Sequence, residues 1–171
     1  FNGLLLNPAY AGSHPYFSTS LLHRSQWVKF DNAPVNQVFA IDGPIANNKM
    51  GVGLHVTNDS HGIINQLDIG ASFSYKLQLG EGDLSFGLRA SMASYSAKIS
   101  EITVWDEDDV YNYTDIDGAF ATKFGFGIYY NTDDWYAGLS IPTIYSLDDN
   151  ILQEGSLADT YFAQHYYLNG G

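Results

Sequence analysis

The chain of 171 residues has no cysteine, which excludes a disulfide framework and thiol chemistry. Basic residues are scarce. Seven Lys and Arg stand against 19 Asp and Glu, a formal net charge of −12. So acidic a chain repels phosphate backbones and is a poor partner for nucleic acid. Charge of either sign is thin, at 15% of residues, where a soluble domain carries roughly 25%. No apolar run approaches the roughly 18–20 residues that a transmembrane helix needs. Insertion into a bilayer would therefore have to use strands. The opening FNGLLLNPAYAG has no basic start and no apolar signal region. It reads as the interior of a longer precursor, and the closing QHYYLNGG reads as a strand cut off.

What the chain does have is tyrosine, 13 of them, and 17 glycines. Aromatics with few charges suit a barrel whose outer wall meets lipid, although a soluble all-β domain also favours them. Strict alternation supplies the stronger signal. Leu67, Ile69, Ala71, Phe73, Tyr75, Leu77 and Leu79 share one face, with Asp68, Gly70, Ser72, Ser74, Lys76 and Gln78 between them. Period-two patterns recur at 50–57, 83–92, 120–130 and 135–141, and more weakly near 17–27, 35–42 and 160–169. About eight strands are thus readable. The connections alternate, short at 43–48, 80–82 and 131–133, longer at 28–34, 58–65, 96–119 and 142–159. Short turns at one end and long loops at the other are the habit of outer-membrane barrels.

The expected fold is all-β: a transmembrane antiparallel up-and-down β-barrel, with residues 1–171 forming the N-terminal portion of one domain. Arg24, Asp68, Lys76, Asp83, Arg89 and Lys123 should face the lumen as charge pairs, because a Lys or Arg facing mid-bilayer lipid costs about 2–4 kcal/mol. Inward glycines should relieve crowding where strands curve. Trp27, Tyr75, Tyr130 and Trp135 should form an aromatic girdle.

Chemistry-bearing motifs are sparse. The acidic run Trp105-Asp106-Glu107-Asp108-Asp109, followed by Asp115 and Asp117, lacks the spacing of an EF-hand loop and reads as a solvated external loop. Histidines 14, 23, 55, 61 and 165 show no metal-ligand spacing, and no nucleophile elbow or phosphate loop is present. The reading is of a protein that is not an enzyme and holds no metal or cofactor. Asn7-Pro8-Ala9-Tyr10-Ala11-Gly12 forms a compact turn before the first strand: Pro fixes φ, Gly permits positive φ and Asn caps locally.

NPAYAG in that place resembles the PorP/SprF family of Bacteroidetes outer-membrane proteins. The resemblance continues at Arg24-Ser25-Gln26-Trp27, at Gly125-Phe126-Gly127-Ile128-Tyr129-Tyr130, at Tyr136-Ala137-Gly138-Leu139-Ser140-Ile141-Pro142 and at His165-Tyr166-Tyr167. Gln164 stands where the family pattern leads one to expect Arg. Family members are longer. The resemblance implies the type IX secretion system and, in gliding bacteria, motility. It also implies partners: adhesin-like secreted surface proteins to be exported or held, and other secretion components. The family-motif residues are Asn7, Pro8, Ala9, Tyr10, Ala11, Gly12, Arg24, Gln26 and Trp27. The candidate partner-binding residues are Trp105, Asp106, Asp108, Asp109, Tyr111 and Tyr113, where aromatic contact area is mixed with acid. A passive solute-transport barrel is the alternative from another class, and a carbohydrate-binding soluble β-domain a third.

Overall fold

Alternating polarity makes each segment a strand with two unlike faces, and the computed structural model places them side by side in chain order. It describes residues 2–27, 29–30, 32–98, 115–148 and 164–171. The strands are β1 (Ser18–Ser25), β2 (Val35–Ile45), β3 (Met50–His61), β4 (Ile64–Leu79), β5 (Gly82–Ala97), β6 (Ile116–Asn131), β7 (Tyr136–Asp148) and β8 (Tyr167–Gly170). They form one antiparallel sheet in the order β1 to β8, an up-and-down half-barrel. A short helix α1 (Gly3–Leu6) and a 3-10 turn (Pro8–Tyr10) precede it.

Exposure on the two faces is the inverse of that in a soluble sheet. Leu88 is 61% exposed while its neighbour Arg89 is 7% exposed. Ile69, Phe73, Phe86 and Phe124 are likewise exposed, and Asp68, Ser72, Ser74, Ser85 and Ser91 are buried. An apolar wall turned outward with polar groups packed inward suits lipid outside. That arrangement is the one expected of a membrane barrel and disagrees with a soluble β-domain. At roughly 3.3 Å per residue, the 16-residue strands β4, β5 and β6 outrun the bilayer even when tilted. Substituting Leu54, 58% exposed near the middle of the apolar band, by Arg is expected to cost about 2–4 kcal/mol. Asn58→Arg, nearer the strand end, is expected to cost at most about 1 kcal/mol. Urea unfolding in lipid vesicles measures both.

The links depart from expectation where strands run on: β7 continues to Asp148 into the expected 142–159 loop, and β6 begins at Ile116 within the expected 96–119 loop. The expected loop at 58–65 is a two-residue turn, because β3 continues to His61, which pairs with Ile64. Gly62 takes the left-handed conformation the turn needs, φ +59°. Asn58, Asp59 and Ser60 looked like loop residues because they are polar. Past Val56, β3 has left the apolar band and is polar on both faces. At Pro142 the ladder slips: Phe124 pairs with Tyr145 but Phe126 with Ile141, so several β7 residues oppose Gly125 alone. The backbone of Pro142 occupies the space where a side chain on Gly125 would lie.

The girdle expectation is met at the short-turn end. Trp135 packs on Tyr130 with ring centroids 5.2 Å apart, and the Tyr130 hydroxyl donates to the Leu79 carbonyl at 3.1 Å. Trp27, in contrast, lies in the β1–β2 connection at the other end and is strongly exposed. Inside, Asp68 accepts from His55 Nε2 at 3.0 Å and Lys123 Nζ at 3.2 Å, with the Ser91 hydroxyl at 3.4 Å. This is the mixed-sign pairing expected of the inner wall.

Candidate functional site

The motif residues 7–12 do more than lead into β1. They run as a strap across the inner face of the sheet, from β6 and β7 back to β2. Asn7 starts the turn: its Oδ1 accepts from the Ala9 amide at 2.9 Å while its Nδ2 donates to the Ile128 carbonyl at 3.0 Å. One side chain therefore both shapes the turn and fastens it to β6. Pro8 supplies a fixed φ at the first position of the 3-10 turn. Tyr10 sets its ring edge-on against Tyr129 of β6, centroids 5.5 Å apart, and its hydroxyl meets His14 Nε2 at 3.0 Å.

The wall beneath the strap is prepared for it. Gly51, Ser74, Gly87, Gly127 and Ser140 are cross-strand partners in one continuous register row over β3 to β7. Side chains on Gly51, Gly87 and Gly127 would collide with Ala11, with Pro8 and Ala9, and with Asn7 respectively. These glycines form a trough in which strap backbone lies on sheet backbone at Gly51 and Gly87, and the Asn7 amide group lies on Gly127. That is a different role from the easing of strand curvature expected of them. The serines fasten the strap: Ser74 donates to the Ala11 carbonyl at 2.7 Å and Ser140 to the Leu6 carbonyl at 2.6 Å.

Charged groups hold both ends. Arg89 donates through one terminal nitrogen to the Leu5 carbonyl at 2.8 Å and through the other to the Leu4 carbonyl, with Nε 3.3 Å from the Ser72 hydroxyl. At the far end Asp42 accepts from the Gly12 amide at 3.0 Å, and Lys76 donates to the Gly12 carbonyl. Bonds to charged groups contribute about 1.5–3 kcal/mol each. Leu4, Asn7, Pro8, Ala9 and Ala11 are fully or almost fully buried. Leu4 and Ala11 pack with Ala40 into a small apolar cluster with Tyr10 at its edge.

Beyond α1, toward the end with the longer links, the inner face opens into a polar cavity of about 800 Å³. Asn36, Thr57, Asp59, Gln66, Asp68 and Lys123 contribute to its walls, and Leu5, Leu6 and Tyr10 to its lining on the strap side. Asn2 reaches from the start of α1 to the Ser20 hydroxyl.

The structure does not bring the whole motif together. Arg24, Gln26 and Trp27 lie at the opposite end of β1 from the strap, Arg24 pairing in register with Asn36. Arg24 is on the inner face, and Gln26, with its amide oxygen turned toward it, accepts from Nε at 3.2 Å. Gln164 donates to the Ile144 carbonyl at 3.0 Å and accepts from the Tyr166 hydroxyl at 3.2 Å. The candidate partner-binding residues Trp105, Asp106, Asp108, Asp109, Tyr111 and Tyr113 lie outside the described residues. Sequence reasoning missed Ser74, Lys76, Arg89, Asp42 and Ser140 as strap ligands. The signal that was available is the row of Gly and Ser, which needs only the strand register to become visible.

A trough, a strap and an apolar outer wall describe a membrane protein whose lumen is partly filled by its own chain. The family model described as type IX secretion system membrane protein PorP/SprF matches residues 1–171. That family is one of secretion-system membrane components and not of enzymes. No curated protein and no solved structure matches the chain. The protein belongs to the PorP/SprF family of type IX secretion system membrane proteins.

Proposed function

We propose that this protein is an outer-membrane component that partners secreted surface proteins, adhesin-like cargo among them, for export or attachment at the cell surface. It works with other type IX secretion components and, in gliding bacteria, serves motility. The carrying observation is the family membership of the whole chain. The strap lying across the inner face supports the same reading, because a wall covered by its own N-terminal segment suits an anchor or adaptor better than a solute channel. The end with the longer links faces outward, as is usual in barrels of the outer membrane. Cargo meets the 101–117 segment there, through Trp105, Tyr111 and Tyr113 set among Asp106, Asp108 and Asp109. Aromatics supply contact area and the acids select a basic partner.

The test is a detergent pull-down of the full-length protein from its own host, with co-purifying proteins identified by mass spectrometry. A secreted surface protein is expected with wild type, and at least tenfold less of it with Trp105, Tyr111 and Tyr113 all replaced by Ala. Equal recovery from the triple variant would move the docking surface elsewhere, and the absence of any secreted protein from the wild-type sample would overturn the function.

A further inference from the structure

We propose that the strap is a permanent seal that keeps the barrel impermeable along this wall, and that it stays seated throughout the protein's working cycle. The inference rests on the proposed outer-membrane role and adds a second task to it, the maintenance of a tight membrane.

A gate needs a free end or a hinge, and a path for water once it swings. The strap is pinned along its length. Arg89 holds the carbonyls of Leu4 and Leu5, Ser140 that of Leu6, Ser74 that of Ala11, and Lys76 that of Gly12. Gly12 is the residue whose positive φ, +64°, could mark a hinge. Its amide and its carbonyl are both taken, by Asp42 and Lys76. Asn7 ties the middle to β6. Where the strap crosses Gly51, Gly87 and Gly127, no space remains even for a methyl group. No layer of water fits between strap and wall at those crossings. Departure of the strap would take two carbonyl partners from Arg89 and the strap bonds of Lys76, Asp42, Ser74 and Ser140 together.

The polar cavity beyond α1 is then a blind vestibule. A solute or an unfolded polypeptide entering along this wall stops at the strap, so cargo is handled from the outside and is not threaded past it.

A disulfide lock tests the seal. A Cβ on Gly53 would lie 2.7 Å from a terminal methyl carbon of Leu4, so cysteines at the two positions face each other, and thiol titration after oxidation reports whether the bond has formed. The full-length protein carrying Leu4→Cys and Gly53→Cys is reconstituted in planar bilayers and also expressed in the host. Expected are no conductance above that of a protein-free bilayer, whether oxidised or reduced, and surface cargo retention within twofold of the wild-type value in both states. A conductance present when reduced and abolished on oxidation would overturn the proposal. Cargo retention that falls at least tenfold on oxidation and returns on reduction would overturn it equally. The single variant Leu4→Cys checks that the site tolerates the change, and the conductance arm needs no cargo, so a failed pull-down leaves it decisive.

Discussion

Replacement of Gly87 by valine is expected to abolish accumulation of the folded protein. The new side chain would occupy the space held by the backbone of Pro8 and Ala9. Backbone cannot rotate aside as a side chain can, so the strap must lift from the row or β5 must bend. Forcing volume into a packed site costs about 1–3 kcal/mol in ordinary cores. Here the loss is expected at or beyond about 3 kcal/mol, because lifting the strap also frees the bonds from Ser74 and Ser140. Heat-modifiable mobility on a denaturing gel reports the folded fraction, and urea unfolding in vesicles reports the free energy. Gly62→Asn is the control. Nothing lies near a side chain there, and Asn tolerates the positive φ, so a loss within about 1 kcal/mol is expected. Equal losses at the two glycines would mean that the trough does not depend on its missing side chains.

Arg89→Ala is expected to be nearly as damaging, at about 2–6 kcal/mol, because the carbonyls of Leu4 and Leu5 lose their donor at about 1–3 kcal/mol for each buried group left unsatisfied. The guanidinium joins Leu4, Leu5 and Ser72, and its fork geometry lets one side chain serve two successive carbonyls. Lysine keeps the charge and loses the fork, so Arg89→Lys is expected to recover less than half of the stability lost. Full recovery by lysine would show that charge alone fastens α1. In either variant, protease cutting within residues 2–12 in the folded, reconstituted protein should increase, because the strap loses the group that holds its first end.

The architecture was legible from alternation because the lipid face demands apolar side chains at every second position. Leu67 to Leu79 shows this without interruption. Boundaries were harder to read. Asp59 and Ser60 of β3 resemble a loop in sequence, yet they pair across to Asn36 and Val35 as strand residues. Polarity marks the edge of the apolar band, and the strand continues past it. The strap was legible only as a turn. Asn7 and Pro8 announce local geometry, but what they lie against is fixed by partners distant in the chain, as Asn7 to Ile128 shows with a separation of 121. Gly87 and Gly127 look unrelated in sequence, and only the β5–β6 register makes them neighbours.

That separation bears on the order of events as the chain matures. Every strand pairs with its neighbour in sequence, so the sheet can grow one hairpin at a time with small loop-closure entropy. The strap cannot join in that progression. Its contacts with Ile128 and Ser140 require β6 and β7 to be in place, although residues 2–12 precede every strand in the chain. The first segment of this sequence is thus among the last to find its place. Until then the glycine row stands uncovered. A variant with a weakened strap should therefore accumulate as a late intermediate with its strands paired and its lumen open, and not as an unfolded chain.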